Sequence, residues 1–171
     1  MKLVFRRRSQ KYSYELLKLD EVDKSVEEIA KSVSSPLLRN KVFLRNTLSN
    51  QEPNITIVAK KKKELIGVVN GIAIKNQPIN PQIAFIWTKY REASMEGVPQ
   101  MLLQKFEEEA KKRNPRASSI TVNIQTSDLN SITLYSLSSF FIEGFIKGFS
   151  GDPDVVIMRR SLNKPSSTPI A

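Results

Sequence analysis

A strand that runs through a short polar segment into a long, well-terminated helix is the most restrictive pattern in this 171-residue sequence. Ile83 to Trp87 is apolar and of strand length, and Thr88 to Glu96 reads as a polar loop. A helix then starts at Gly97-Val98-Pro99, since proline's fixed φ suits a first helical position and its missing N–H costs nothing there. Leu102, Leu103, Phe106 and Ala110 recur at the spacing of one buried helical face. Glu107–Lys111, Glu108–Lys112 and Glu109–Arg113 are i,i+4 pairs in the favourable order on the opposite face. Cations crowd the last turn and Asn114-Pro115 ends the helix. Between Pro99 and Glu107 there is no acidic residue, so the positive end of the helix dipole is left unopposed. Free N–H groups at such an end, behind a glycine, suit a phosphate. Glu96, just outside, works against that reading, and an ordinary strand-to-helix connection is the alternative.

The rest of the composition narrows the chemistry. The length predicts one compact domain, residues 1–162, with the segment 163–171 (NKPSSTPIA) as a flexible tail lacking core residues. No apolar run approaches membrane-spanning length, and MKLVFRRRSQ places its cations after its apolar residues, the reverse of a secretory signal. A cytoplasmic location is expected, and the Asn54-Ile55-Thr56 sequon then carries no weight. With neither cysteine nor histidine, disulfides, thiolate or imidazole metal ligands and a histidine base are all excluded. Carboxylates, Tyr, Lys, Ser/Thr and backbone groups must serve instead. The net charge of +10 is uneven: residues 1–63 hold 15 Lys/Arg against 7 Asp/Glu. Such a basic third fits an anionic partner, whether nucleic acid, an acidic protein or a phosphorylated ligand, and fits simple solubility too.

In chain order, Lys2 to Phe5 reads as a short strand and Arg6-Arg7-Arg8 as a cationic turn. Lys11 to Leu19 predicts a strand, Glu21 to Val33 a helix with Asp20 as N-cap, and Pro36 to Leu48 a second helix. The face of that second helix is expected to carry Leu37, Leu38, Val42, Phe43 and Leu44. Asn54–Ala59 and Leu65–Ile74 form a hairpin around Lys60-Lys61-Lys62-Lys63-Glu64, whose lysines suit either a nucleic-acid contact or a solvated tip. Ser119 to Gln125 alternates as a strand. Thr126-Ser127-Asp128 caps a helix expected to reach about Ile142 and to end at Gly144, followed by strands over Phe145–Phe149 and Val155–Leu162. The order β-α-α-β-β-β-α-β-α-β-β predicts an α/β domain on one mixed sheet.

That order, with several local motifs, resembles the GCN5-related N-acetyltransferase (GNAT) family over roughly Tyr12 to Leu162. Ile86-Trp87-Thr88-Lys89-Tyr90-Arg91 looks like the end of the family's coenzyme-binding strand, and Gly97 to Leu103 like the second half of its pyrophosphate loop and the helix beyond. Val122 to Asp128 with Leu134-Tyr135, then Gly144-Phe145 and Val156 to Arg159, are similar to the closing elements. The departures are extra residues between Arg91 and Gly97, Pro99 in place of a glycine, Asp128 in place of asparagine and a longer interval from Tyr135 to Gly144.

The resemblance implies a mostly antiparallel sheet of six to seven strands with helices on both faces. It also implies transfer of an acetyl group from acetyl-CoA, as co-substrate and without a metal, to a primary amine of a protein, peptide or small molecule. Tyr135 would act as proton donor, with Ile86, Trp87, Arg91, Gly97, Val98, Gln100 and Asp128 binding the coenzyme. The alternative is a non-catalytic module of the same fold that binds nucleic acid or an acidic protein through its basic third. No general base is assigned: Glu15, Glu92 and Glu143 remain only by elimination, while Asn123 and Gln125 could at most orient a water.

Overall fold

A computed structural model describes residues 11–33, 35–77 and 79–162. The strand expected at Lys2–Phe5, the turn at Arg6–Arg8 and the tail from residue 163 lie outside these residues. Among the described residues, seven strands form one sheet in the order β1-β2-β3-β4-β5-β7-β6, antiparallel throughout except where β4 meets β5. The strands are β1 Ser13–Leu16, β2 Asn54–Lys61, β3 Glu64–Ile72, β4 Gln82–Thr88, β5 Ser119–Gln125, β6 Phe141–Ile146 and β7 Val155–Ser161. The helices are α1 Val22–Ser32, α2 Pro36–Arg39, α3 Lys41–Ser49, α4 Arg91–Met95, α5 Val98–Arg113 and α6 Leu129–Leu137. None of them is long and apolar enough to cross a membrane.

Two apolar clusters sandwich the sheet. On one face α5 and α6 lay Leu102, Phe106, Ala110 and Tyr135 against Ile55, Ile57, Val69, Val122 and Met158. On the other, α1 and α3 lay Val26, Ile29, Leu44 and Leu48 against Val58, Val68 and Trp87. Each such side chain taken fully out of water contributes about 1.5–3 kcal/mol. β3 is covered on both faces, and this is why seven of its nine residues are buried although they do not alternate in polarity. The close packing of α5 depends on Gly71, where a Cβ would lie 2.6 Å from Phe106 and 2.5 Å from the Gln82 carbonyl oxygen.

Several expectations are corrected. The helix predicted from Pro36 to Leu48 breaks at Asn40, whose extended backbone and side chain, accepting from Phe43 N–H at 3.0 Å, start a new helix. The break resets the buried face to Leu44 and Leu48, so Leu37 and Val42 stay exposed. Asp20 does not cap α1; it lies in a 3-10 turn, Leu19–Glu21, and Glu21 is the N-cap, without a side-chain cap bond. The polar loop from Thr88 to Glu96 contains α4, a helical turn that absorbs the extra residues before Gly97. Finally, α6 stops at Leu137, not Ile142. Ser138 returns its hydroxyl to the Leu134 carbonyl, Ser139 takes a positive φ of 64°, and the chain enters β6 at Phe141. The strand predicted over Phe145–Phe149 therefore begins earlier, and Gly144 lies inside it.

Candidate coenzyme cleft

β4 and β5 are parallel neighbours at only two pairs, Gln82 with Thr121 and Ile83 with Val122. Beyond Ile83 they part. The cause is local: β3 pairs Gly71 with Ile83 but Asn70 with Phe85, so Ala84 is an extra residue that bends β4. From Ala84 to Thr88, β4 pairs with β3 alone, and its other backbone edge faces a gap.

The gap opens into a cleft of about 650 Å³. Ile86, Trp87 and Thr88 supply its β4 wall, Arg91 and Ser94 come from α4, and Pro99 and Gln100 from the first turn of α5. Asn130, Ser131, Thr133, Leu134 and Leu137 of α6 close the far side. Arg91 is exposed and forms no ion pair among the described residues. No acidic side chain stands in the first turn of α5. Glu96, the carboxylate nearest that end in sequence, turns away to Lys11, which donates at 2.5 Å, and to the Tyr12 hydroxyl, and both hold its pKa below the usual carboxylate range. The helix end therefore keeps its positive character.

Gly97 sits at φ 80°, a left-handed conformation that favours glycine. Its N–H is committed to the Ser94 carbonyl at 3.3 Å, so the amides of Val98 and Gln100, not that of Gly97, are the ones left at the helix end. Pro99 contributes no N–H. The Gln100 Oε1 atom is buried without a hydrogen-bond partner among the described residues.

The expected site residues divide in two. Ile86, Trp87, Arg91 and Gln100 line the cleft. Gly97 and Val98 do not line the cleft: Gly97 is the N-cap of α5 with its N–H already bonded, and Val98 offers only its backbone amide, its side chain being buried in the core at 0% exposure. Asp128 is the N-cap of α6, accepting from Ser131 N–H at 3.0 Å and from its hydroxyl at 2.7 Å. Tyr135 is 2% exposed and packs edge-on against Phe140 with ring centroids 5.1 Å apart, behind the α6 residues that face the cleft. Burial first, and the Asp128 charge second, raise its pKa well above the usual phenol value. The α6 wall is not legible in the sequence, because Leu129-Asn130-Ser131-Ile132-Thr133-Leu134 carries apolar residues on every side and gives no periodic face.

Among the candidate bases, Glu15 is bound to Lys60 and Glu143 to Arg159, whereas Glu92 is exposed and forms no ion pair among the described residues. Trp87 is buried against the α1–α3 cluster while its edge reaches the cleft. Part of the basic third is internally neutralised: five of its fifteen cations, Lys11, Lys31, Lys41, Arg45 and Lys60, pair with carboxylates. Lys62 and Lys63 at the hairpin tip form no ion pair among the described residues.

No family model matches the sequence, and no curated protein is significantly similar to it. Solved structures do match. One is a protein assigned as an acetyltransferase of the GNAT family from Desulfovibrio desulfuricans, with a TM-score of 0.75 at 11% identity, covering 89% of this chain and 99% of that one. Another is the ribosomal-protein-S18-alanine N-acetyltransferase from Escherichia coli, at 0.69 and 14%, covering 91% and 97%. A spermidine N-acetyltransferase chimera from Vibrio cholerae and hSSAT matches at 0.67 and 16%, covering 89% and 96%. Sheet order, the parting of β4 from β5 and near-complete coverage agree on one conclusion: this chain has the fold of the GCN5-related N-acetyltransferases.

Proposed function

We propose that the protein is an acetyl-CoA-dependent N-acetyltransferase acting on a primary amine. The observation that carries this reading is the wedge between β4 and β5, which runs into a cleft ending on the uncompensated N-terminus of α5. A flexible amide-bearing chain such as pantetheine can add to the open edge of β4 as a further strand does, through backbone hydrogen bonds. The Val98 and Gln100 amides and the Arg91 guanidinium then meet the diphosphate. Gln100 Oε1, buried and without a partner among the described residues, is free to accept from a ligand N–H or O–H.

In the reaction the neutral amine attacks the thioester carbonyl carbon, the C–S bond breaks with its electron pair leaving on sulfur, and the nitrogen gives up one proton to solvent water, from which the proton donated to sulfur is replaced. A backbone N–H of β4 near Ile86–Trp87, turned out by the Ala84 bulge, is the simplest donor to the developing oxyanion. Tyr135 is assigned the proton for the departing thiolate. Burial keeps the hydroxyl protonated near neutrality, the state a donor needs, and makes it a weaker acid than a free phenol. Its burial behind Leu134 means that the thiolate must reach the inner end of the wedge to meet it.

Acetyl-CoA is expected to raise the melting temperature, because a ligand bound only by the native state at 100 times its Kd adds about 2.7 kcal/mol of stability. No shift at millimolar acetyl-CoA overturns the reading. Tyr135→Phe is expected to lower turnover by about 10²–10⁴-fold while leaving coenzyme affinity nearly unchanged. An unchanged rate removes Tyr135 from the mechanism and leaves the transfer itself standing.

A further inference from the structure

The sheet has two edges, built to opposite rules. At one, β1 is only four residues long and presents Glu15, fixed by Lys60 at 2.6 Å. Short length and a charge are how natural edges resist pairing with another chain. At the other, β6 reads Phe141-Ile142-Glu143-Gly144-Phe145-Ile146 and, among the described residues, pairs with β7 alone. Phe141, Ile142, Phe145 and Ile146 are 54, 63, 57 and 48% exposed, and Phe149 just beyond is 85% exposed. The only charge on the strand, Glu143, is engaged by Arg159 of the same chain.

We propose that β6 is the dimerisation strand of this protein, adding antiparallel to β6 of a second copy about a two-fold axis between Glu143 and Gly144. The register follows from the bulge. Ile142 and Phe145 pair with Met158 and Val156, on the α5–α6 side of the sheet. Phe141, Gly144 and Ile146 pair with Arg159, Ile157 and Val155, on the opposite side, leaving Glu143 as the extra residue. An axis between Glu143 and Gly144 therefore sets Phe141 opposite Ile146 of the second copy and Ile142 opposite Phe145, with faces matched in both pairs. Aromatic–β-branched pairs of this kind are favourable, and each Glu143 meets a glycine. An axis through Glu143 would oppose two carboxylates, and one through Gly144 would set Lys147 against Phe141.

The area also fits a second copy. The five apolar side chains expose roughly 550 Å² per copy, taking about 200 Å² for a bare aromatic side chain. Main-chain pairing and the neighbouring loop bring this toward the roughly 800 Å² per partner of a stable interface.

Sedimentation equilibrium of the full chain at tens of micromolar is expected to give twice the 19.4 kDa chain mass. Phe145→Lys, or Ile142→Lys should the first fail to fold, is expected to halve that mass with the circular dichroism spectrum retained. A wild-type monomer, a wild-type assembly larger than two, or a dimer that survives the lysine substitution overturns the proposal. The register has its own test, made clean by a chain that contains no cysteine. The double variant Phe141→Cys/Ile146→Cys is expected to form a covalent dimer on oxidation. Only monomer on a non-reducing gel overturns the register and the strand pairing with it.

Discussion

The two halves of the sheet differ in how they are covered, and the candidate cleft lies on the seam between them. β2, β3 and β4 are packed on both faces, by α5 on one side and by α1 and α3 on the other. β5 and β7 are packed on one face only, by α5 and α6, and β6 is packed on neither, so Asn123, Gln125 and the apolar side chains of β6 remain exposed. The doubly covered half holds the fold, because β2 and β3 surrender nearly all their apolar surface. The singly covered half is left free to meet other molecules. The seam combines these properties: β4 is fixed by β3 on one side and unpaired beyond Ile83 on the other.

Substitutions can break this contrast, and the largest effect is expected where α5 meets β3. Phe106→Ala should cost about 3–5 kcal/mol in urea unfolding, while Phe145→Ser on the open edge should stay within about 0.5 kcal/mol at concentrations where the chain is single. A similar cost at both positions would show that the halves are equally structural. Gly71→Ala should cost about 1–3 kcal/mol, since the added methyl meets the backbone oxygen of Gln82 as well as the Phe106 ring. The helix caps sharpen the contrast further. Asn40→Ala at α3 and Asp128→Ala at α6 should each cost about 1 kcal/mol. Only the second should also weaken acetyl-CoA binding, because α6 forms a wall of the cleft. Equal coenzyme affinity in the two variants would separate Asp128 from the site.

The smallest expected effect is electrostatic. A hydrogen bond from Lys60 lowers the Glu21 pKa from 4.5, so the ionised form is favoured by folding. Its contribution is present above the unfolded value and is lost as pH falls through the lower folded one. Glu21→Gln should therefore lower stability by about 0.5–1 kcal/mol near neutrality, the pair being partly exposed, and the two proteins should converge in acid. A constant difference across that range would assign the effect to packing, not charge.

Local rules carry much of the architecture. The Gly97-Val98-Pro99 start, the apolar face of α5 and its cationic end are readable because a helix contains its own hydrogen bonds and shows its period in a short window. β5 and β7 are likewise visible within a residue of their limits. Sequence patterns mislead where a single side chain or neighbour decides: Asn40 restarts a helix, Ser138-Ser139 ends one, and Arg91–Met95 folds a loop into a turn of helix.

By itself, the sequence determined the chemistry open to this protein, one without imidazole or thiol, and a strand-to-helix unit whose positive end is unopposed. Only the tertiary structure decided where that end points. β4 and β5 part because β4 bends at Ala84 against β3, a contact between separate strands that no local periodicity encodes. The wall of α6, the turning of Glu96 toward Lys11 and Tyr12, and the bare edge of β6 depend in the same way on which neighbours the fold supplies. Hydrophobic patterning selects a face to bury, but the partner on that face is chosen by packing across the whole chain.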